Sequence, residues 1–119
     1  MLKHVSFTTR RPEEVIAFYT RLGARVIKDA VSQDGLRRIV VQFENGGKLQ
    51  FFAADGRDPA DSWMEHVAVE LPDLHGKAAE LRAVGVRFTR EPSLTPSGNP
   101  VAFVVDPDGR QVELLQREP

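Results

Sequence analysis

The stretch HVSF at residues 4–7 returns as HVAV at residues 66–69. The segment LGARV at residues 22–26 likewise returns as VGVRF at residues 84–88, with the same offset of 62 positions (residue 4 to residue 66, residue 23 to residue 85). An offset shared by two separate matches indicates an internal duplication. The chain is therefore predicted to contain two copies of one structural module.

A third match places polar side chains in equivalent positions of the two copies. LQFF, which contains Gln50, corresponds to VELL, which contains Glu113, after one residue of drift. The first match makes His4 equivalent to His66. Two imidazoles, an amide and a carboxylate that recur in this way suggest a divalent-metal site.

The length of 119 residues and an apolar fraction of 41% suit one packed domain. We expect a single domain over residues 1–119, made of module 1 (1–54), a linker (55–62) and module 2 (63–119). The linker is rich in charges and turn residues and lacks an apolar period.

The net charge of −1 argues against an electrostatic nucleic-acid binder. The chain contains no cysteine, so a metal would need nitrogen and oxygen ligands. Neither a signal-peptide pattern nor an apolar run of about 20 residues occurs, so we expect a cytoplasmic protein without a membrane segment.

Two basic doublets interrupt an otherwise mixed surface, Arg10-Arg11 and Arg37-Arg38. Acidic neighbours offset both of them. We expect these arginines to be solvated or structural, with contact to an anionic substrate as the alternative.

Apolar periodicity and turn residues predict a β-α-β-β-β order in each module. The expected fold class is α+β, with two tandem modules that form an open, barrel-like mixed sheet. Module 1 is predicted to have strands at residues 3–9, 24–29, 37–44 and 48–53, a helix from Pro12 to a stop at Gly23, and a turn at residues 45–47. Module 2 is predicted to have strands at residues 63–71, 86–89, 101–105 and 110–116, a helix from Pro72 to Gly85, a long polar loop at residues 91–100 as candidate mobile lid, and a turn at residues 106–109.

Strand parity predicts which way the polar side chains point. Gln50 lies between Leu49 and Phe51, so it points away from the residues that pack on the helix. Glu113 and His66 have the same relation to their apolar neighbours. Two such sheets side by side would form a trough with the four polar groups at its floor, where a small-molecule pocket is expected.

This set of donors restricts the metal. It is too hard for Cu(I) and too rich in nitrogen for Ca²⁺, which leaves Ni, Co, Mn, Fe or Zn. One anionic ligand leaves the ion a positive charge with which to polarise two adjacent oxygens of a substrate.

Simpler interpretations apply to other polar residues. A single strand histidine is more often a partly buried polar residue than a ligand, and the duplication is what favours the metal site. His75 lies outside the repeat and is expected to be solvated. Asp106 and Asp108 suit a turn in which Gly109 supplies a positive φ.

The motifs EHVAVEL at residues 65–71 and FVVDPDGRQVELLQ at residues 103–116 resemble the vicinal oxygen chelate superfamily. That superfamily includes glyoxalase I, methylmalonyl-CoA epimerase, fosfomycin-resistance proteins, extradiol dioxygenases and metal-free bleomycin-binding proteins. The resemblance covers essentially the whole chain and implies the glyoxalase-like fold. It also implies four metal ligands, His4, Gln50, His66 and Glu113.

The resemblance implies a metal-dependent lyase or isomerase, of glyoxalase I or epimerase type, that acts through an enediolate-type intermediate. Glu113 would be a ligand and candidate proton carrier. An epimerase normally needs a second carboxylate, but Gln42 occupies the position where a base could lie. Gln42 is expected across from Gln50 if Glu44 pairs with Lys48. Glu70 is the other candidate base.

The alternative is a metal-free drug-binding or antibiotic-binding protein of the bleomycin-resistance type. The substrate pocket of the enzyme is expected to include Gln42, Phe52, Phe103 and Leu115. In the metal-free protein, Phe52, Phe103, Val101 and Leu115 could line a hydrophobic pocket, although plain barrel packing is the more frequent role of such residues. Exposed sheet edges and the resemblance both imply a homodimer. A small-molecule substrate is expected, with neither nucleic acid nor membrane as partner.

Overall fold

The structure is a computed structural model that describes residues 3–31, 35–53 and 66–118. The chain divides into two compact units, Met1–Asp58 and Pro59–Pro119. The predicted linker at residues 55–62 lies outside the described residues.

Unit 1 has the predicted β-α-β-β-β order. Its four strands form one mixed sheet in the order β1-β4-β3-β2, in which β1 is parallel to β4 and the other pairs are antiparallel. The elements are β1 (Val5–Thr9), α1 (Pro12–Arg21), β2 (Arg25–Val31), β3 (Arg37–Gln42) and β4 (Lys48–Ala53).

Unit 2 repeats this arrangement with the order β5-β8-β7-β6. Here β5 is parallel to β8, and the remaining pairs are antiparallel. The predicted α+β class with two equivalent modules is therefore confirmed. The elements are β5 (His66–Leu71), α2 (Leu74–Ala83), β6 (Phe88–Leu94), β7 (Pro100–Val105) and β8 (Gln111–Gln116).

Helix α1 covers one face of the first sheet. Pro12 begins the helix, where its missing N–H is not needed, and Gly23 follows the helix with a φ of +104°. Tyr19 is fully buried, and its ring lies 5.3 Å from that of Phe51 on β4. Since Phe51 neighbours Gln50, the parity of the strand directs Gln50 to the opposite face.

Helix α2 begins later than predicted. The sequence suggested Pro72 as its start, but the helix begins at Leu74 because Asp73 is the N-cap. The Asp73 carboxylate accepts a hydrogen bond of 3.0 Å from the backbone N–H of Gly76. Leu74 and Leu81, which lie two turns apart on the same face of the helix, are both fully buried against the sheet.

The predicted lid at residues 91–100 is wrong. β6 continues to Leu94 and β7 begins at Pro100, so residues 95–99 alone connect them. Pro92 is tolerated because β6 is an edge strand with register shifts on either side of Arg90. A proline lacks a backbone N–H, but on an edge strand that position can face solvent, so no hydrogen bond to a neighbouring strand is lost.

The hairpin between β3 and β4 has a different register from the expected one. Phe43 N–H donates to the Gly47 carbonyl at 2.8 Å, and Gly46 has a φ of +96°. The loop therefore pairs Gln42 with Lys48 and places Val40 across from Gln50. The predicted pairing of Gln42 with Gln50 is wrong by two residues, although both stay on one face.

Smaller boundary differences occur elsewhere. β2 extends to Val31 rather than residue 29, and β3 ends at Gln42 rather than residue 44. The first three residues of the predicted strand 63–71 lie outside the described residues. The turn before β8 matches its prediction, since Gly109 has a φ of +94°.

In the part of the chain that the structure describes, no helix is long and apolar enough to cross a membrane. The cytoplasmic location stays a prediction.

Candidate functional site

Each sheet has a second face, opposite its helix, which carries the predicted site residues. We call these the helix-distal faces. Cross-strand partners share a face, so the strand registers define each set. The helix-distal face of unit 1 comprises His4, Ser6, Thr8, Arg25, Lys28, Ala30, Arg38, Val40, Gln42, Lys48, Gln50 and Phe52. That of unit 2 includes His66, Ala68, Glu70, Thr89, Arg90, Ser93, Val101, Phe103, Val105, Gln111, Glu113 and Leu115.

Gln50 is at the centre of a polar cluster in unit 1. Its side chain is buried, with the residue 5% exposed. Its Nε2 donates to Ser6 Oγ at 2.6 Å and lies 3.3 Å from His4 Nε2. Arg38 Nε donates a hydrogen bond to Gln50 Oε1. The structure therefore brings the predicted ligands His4 and Gln50 together.

Arg38 determines which way the Gln50 amide faces. A guanidinium has donors and no acceptor, so the amide atom that it meets must be the oxygen. The Gln50 nitrogen then faces His4 Nε2, at 3.3 Å. An amide nitrogen that bears two hydrogens does not ligate metal, so this orientation turns the oxygen, the atom through which an amide would bind an ion, away from His4.

Unit 2 holds the other predicted pair. His66 Nε2 and Glu113 Oε1 are 3.0 Å apart, with side chains 27% and 22% exposed. The Phe103 ring packs edge-on against the imidazole, with 5.6 Å between ring centroids. Phe103 lies directly across from Glu113 in the register, so it holds the histidine beside the carboxylate.

The duplication explains why the two pairs differ. By the offset of 63 positions, Arg38 of unit 1 corresponds to Val101 of unit 2, and both lie on the helix-distal face. A valine donates no hydrogen bond to Glu113. The carboxylate can therefore turn towards His66, whereas the Gln50 oxygen is held by Arg38.

The donor chemistry of these residues suits a divalent ion. Ligands about 2.1 Å from an ion at right angles to each other are about 3.0 Å apart, which matches the separation of His66 and Glu113. The pair of His4 and Gln50 would fit after rotation of the amide. No group of three or more His, Cys, Asp or Glu residues that could hold an ion occurs among residues 3–31, 35–53 and 66–118.

The predicted pocket residues lie on the expected faces. Phe52, across from Arg38, and Leu115, two residues after Glu113, are both half-buried. Gln42 Nε2 donates to the Gly46 carbonyl at 3.3 Å, so it is tied to its own hairpin. Whether these residues line a pocket stays a prediction.

Sequence reasoning missed two members of the unit 1 cluster. Ser6 follows His4 by two positions, which places both on one strand face, and this spacing could have found it. Arg38 was noted only as half of a doublet. Its contact with Gln50 joins two neighbouring strands, β3 and β4, and a doublet of arginines in the sequence does not predict such a contact.

The two arginines of that doublet have different environments. Arg37 lies on the helix side of the sheet, where it contacts Asp29 at 2.8 Å and Glu13 at 2.5 Å. The hydrogen bond from Arg37 lowers the pKa of Asp29, and the two carboxylates raise the pKa of Arg37. Arg37 is thus structural, as expected, whereas Arg38 hydrogen-bonds the Gln50 amide on the opposite face of the sheet.

The turn before β8 contains a buried cluster of charged side chains. Arg110 Nη1 contacts Asp106 at 3.2 Å and Asp108 at 3.0 Å. Asp106 Oδ1 also accepts from the backbone N–H groups of Asp108 and Arg110. These contacts confirm that the two aspartates shape the turn, and they add Arg110, which the sequence did not single out.

The chain belongs to the Glyoxalase/Bleomycin resistance protein/Dioxygenase superfamily, whose family model matches residues 1–114. It is 31% identical over 113 residues to a bleomycin resistance protein of Klebsiella pneumoniae, with 89% of this chain and 84% of that protein covered. Over 54 residues it is 37% identical to a probable lactoylglutathione lyase of Vibrio cholerae, which covers 44% of this chain and 39% of the relative.

Glyoxalase I from Zea mays has a similar fold, with a TM-score of 0.84 at 21% identity. The match covers 99% of this chain and 45% of the maize protein, so this chain spans less than half of that enzyme. The glyoxalase-like fold is thereby confirmed. The superfamily relatives include both lyases and a drug-resistance protein.

Proposed function

We propose that this protein is a metal-dependent lyase or isomerase of the glyoxalase-like class, acting on a small molecule with vicinal oxygens. His4, Gln50, His66 and Glu113 are the proposed ligands. The hydrogen bond of 3.0 Å between His66 and Glu113 supports this proposal most directly, because it brings two side chains of metal-ligating type next to each other.

A divalent ion at these ligands would supply Lewis acidity towards two adjacent substrate oxygens. The side chains have separate tasks. Glu113 is the one anionic ligand and the proposed proton carrier, and His66 and Phe103 restrict its orientation. Gln50 contributes its oxygen once the amide rotates away from Arg38.

A lyase of the lactoylglutathione type is the better-supported member of this pair of reactions. An epimerase needs proton carriers on both sides of a carbon. Gln42 is an amide tied to its hairpin, and Glu70, across from Leu115, is exposed. Of these three residues, Glu113 is the one whose carboxylate neighbouring side chains hold in place, as an acid or base requires.

Metal analysis with matched histidine variants tests the proposal. Purified wild type is expected to retain about one divalent ion per site, and His66→Ala is expected to lose it. His75→Ala is the control, since His75 is an exposed residue of α2. Equal metal content in wild type and His66→Ala would overturn the assignment of His66.

A metal-independent binding protein is the second candidate. The likeness to the Klebsiella bleomycin resistance protein extends over most of the chain, whereas the likeness to the lyase covers less than half. The half-buried Phe52, Phe103 and Leu115 would then supply apolar contacts. Calorimetric binding of bleomycin in a chelating buffer, unchanged in His66→Ala, would favour this candidate over the enzyme.

A homodimer is also proposed. β2 is an edge strand of its sheet, and it exposes Val26, Ile27 and Val31 by 39%, 42% and 66%. Exposed apolar edges invite pairing with a second copy. Sedimentation equilibrium should give twice the chain mass of 13.3 kDa. A monomer at high micromolar concentration would contradict the proposal.

A further inference from the structure

The helix-distal face of unit 1 carries charges of one sign. Arg25 and Lys28 come from β2, Arg38 from β3 and Lys48 from β4. None of the residues of this face is an aspartate or glutamate. Of the carboxylates of unit 1 within the described residues, Glu13 and Glu14 are on α1, Asp29 is across from Ile39 on the helix side of the sheet, and Glu44 is in the turn after β3.

Strand register brings these cations near one another. Arg25 is across from Gln42, which is across from Lys48, so the two cations lie two strands apart, about 10 Å. Lys28 is across from Val40, which is in turn across from Gln50 on β4. Each side chain is long enough to reach towards the middle of this face.

Arg38 is the cation best placed for recognition. It is half-buried, and its Nε is held by Gln50, which fixes the direction of the guanidinium. No ion pair joins Arg38, Arg25, Lys28 or Lys48 to a carboxylate within the described residues. Arg37 differs in this respect, because Asp29 and Glu13 neutralise it.

The equivalent face of unit 2 has the opposite character. Val101 replaces Arg38, and Gln111 replaces Lys48, at the offset of 63 positions. This face carries Glu70 and Glu113, and its cation Arg90 is engaged with Ser93. The cationic face is therefore not a consequence of the fold, since the same fold in the second copy does without it.

We propose that the helix-distal face of unit 1 binds an anionic group, the carboxylate or phosphate of a small molecule, through Nη1 and Nη2 of Arg38. A planar guanidinium whose Nε is already held can offer its two terminal nitrogens to two oxygens of such a group. Arg25, Lys28 and Lys48 add a positive field. The inference does not require a bound metal, so it applies to an enzyme and to a binding protein alike.

A small anion fits this face better than a nucleic acid. Four cations within three strands would neutralise few phosphates, and the chain as a whole carries a net charge of −1. Binding of an anion would also account for the presence of an arginine beside Gln50, because the same guanidinium contacts the Gln50 oxygen and leaves its terminal nitrogens for the anion.

Adjacent arginines provide a matched test. Inorganic phosphate and, separately, succinate are titrated by calorimetry into wild type, Arg38→Gln and Arg37→Gln at constant ionic strength. Both variants lose one positive charge, but they lose it from opposite faces of the sheet. Arg38→Gln is expected to weaken binding at least tenfold, and Arg37→Gln less than twofold. The stronger of the two anions identifies phosphate or carboxylate as the ligand group.

Additional variants separate anion binding from metal binding and from failure to fold. His75→Ala should bind the anion as wild type does, and so should wild type dialysed against a chelator, so loss of metal and loss of the anion are distinguishable. If Arg38→Gln fails to fold by circular dichroism, Lys28→Gln with Lys48→Gln replaces it, with at least a threefold weakening expected. Absence of binding in wild type, equal losses in Arg37→Gln and Arg38→Gln, or tighter binding of a DNA oligonucleotide than of either anion would overturn the proposal.

Discussion

Replacement of Arg38 by methionine should increase the affinity of the protein for divalent metal. Methionine replaces the aliphatic stem of arginine and has no donor. In Arg38→Met, the Gln50 oxygen would lose its hydrogen bond and the amide could turn that oxygen towards His4. The proposed metal site would gain a ligand that the wild type must first release.

The size of the effect follows from two terms. A net hydrogen bond between a charged and a neutral group contributes about 1.5–3 kcal/mol. An ion bound to Gln50 Oε1 would lie about 5 Å from the guanidinium, a repulsion of roughly 1–2 kcal/mol even in water-like screening. Because the arginine can swing away, we take the lower end of the sum of the two terms, about 2.5 kcal/mol, which corresponds to about 70-fold tighter binding.

Competition with a chromophoric chelator for Co²⁺ or Zn²⁺ measures this affinity directly. Arg37→Met is the matched control, because it removes the same charge from the helix side of the sheet. It should change the affinity less than threefold.

Three results would refute the reasoning. An unchanged affinity in Arg38→Met would show that the contact with Gln50 does not oppose metal binding. An equal gain in Arg37→Met would assign the effect to overall charge. Failure of both the wild type and Arg38→Met to bind metal would remove Gln50 from the proposed ligands.

Three further predictions concern stability. Asp73→Ala should lower the unfolding free energy by about 1 kcal/mol in urea melts, because it removes the N-cap of α2, whereas Asp73→Asn should retain most of it. Asp29 has a lowered pKa in the folded protein, so its contribution is present above the unfolded pKa of about 3.9 and is lost as pH falls through the folded pKa. Asp29→Asn should therefore destabilise by less than about 1 kcal/mol at pH 7 and not at all once the pH is below the folded pKa of Asp29, and a difference that grows on acidification would contradict this. Arg110→Met should cost about 3 kcal/mol in urea melts, since it breaks a buried ion pair with Asp106; a loss within error would show that the backbone N–H groups suffice for that carboxylate.

The sequence determined the modules and the face on which each proposed ligand lies. Side chains alternate along a strand with a period of two, so the apolar neighbours of Gln50 and Glu113 settle their direction whatever the register. The duplication makes His4 equivalent to His66 and Gln50 equivalent to Glu113, and within each unit the structure places the histidine beside the amide or the carboxylate. These conclusions needed only local pattern and internal symmetry.

Tertiary structure decided what the ligands contact across strands. A loop closed between Phe43 and Gly47 placed Gln42 across from Lys48, and no composition rule gives that register. It also brought Arg38, one strand away, onto the oxygen of Gln50. Long side chains reach neighbours that are distant in sequence, so the orientation of that amide depends on the folded sheet.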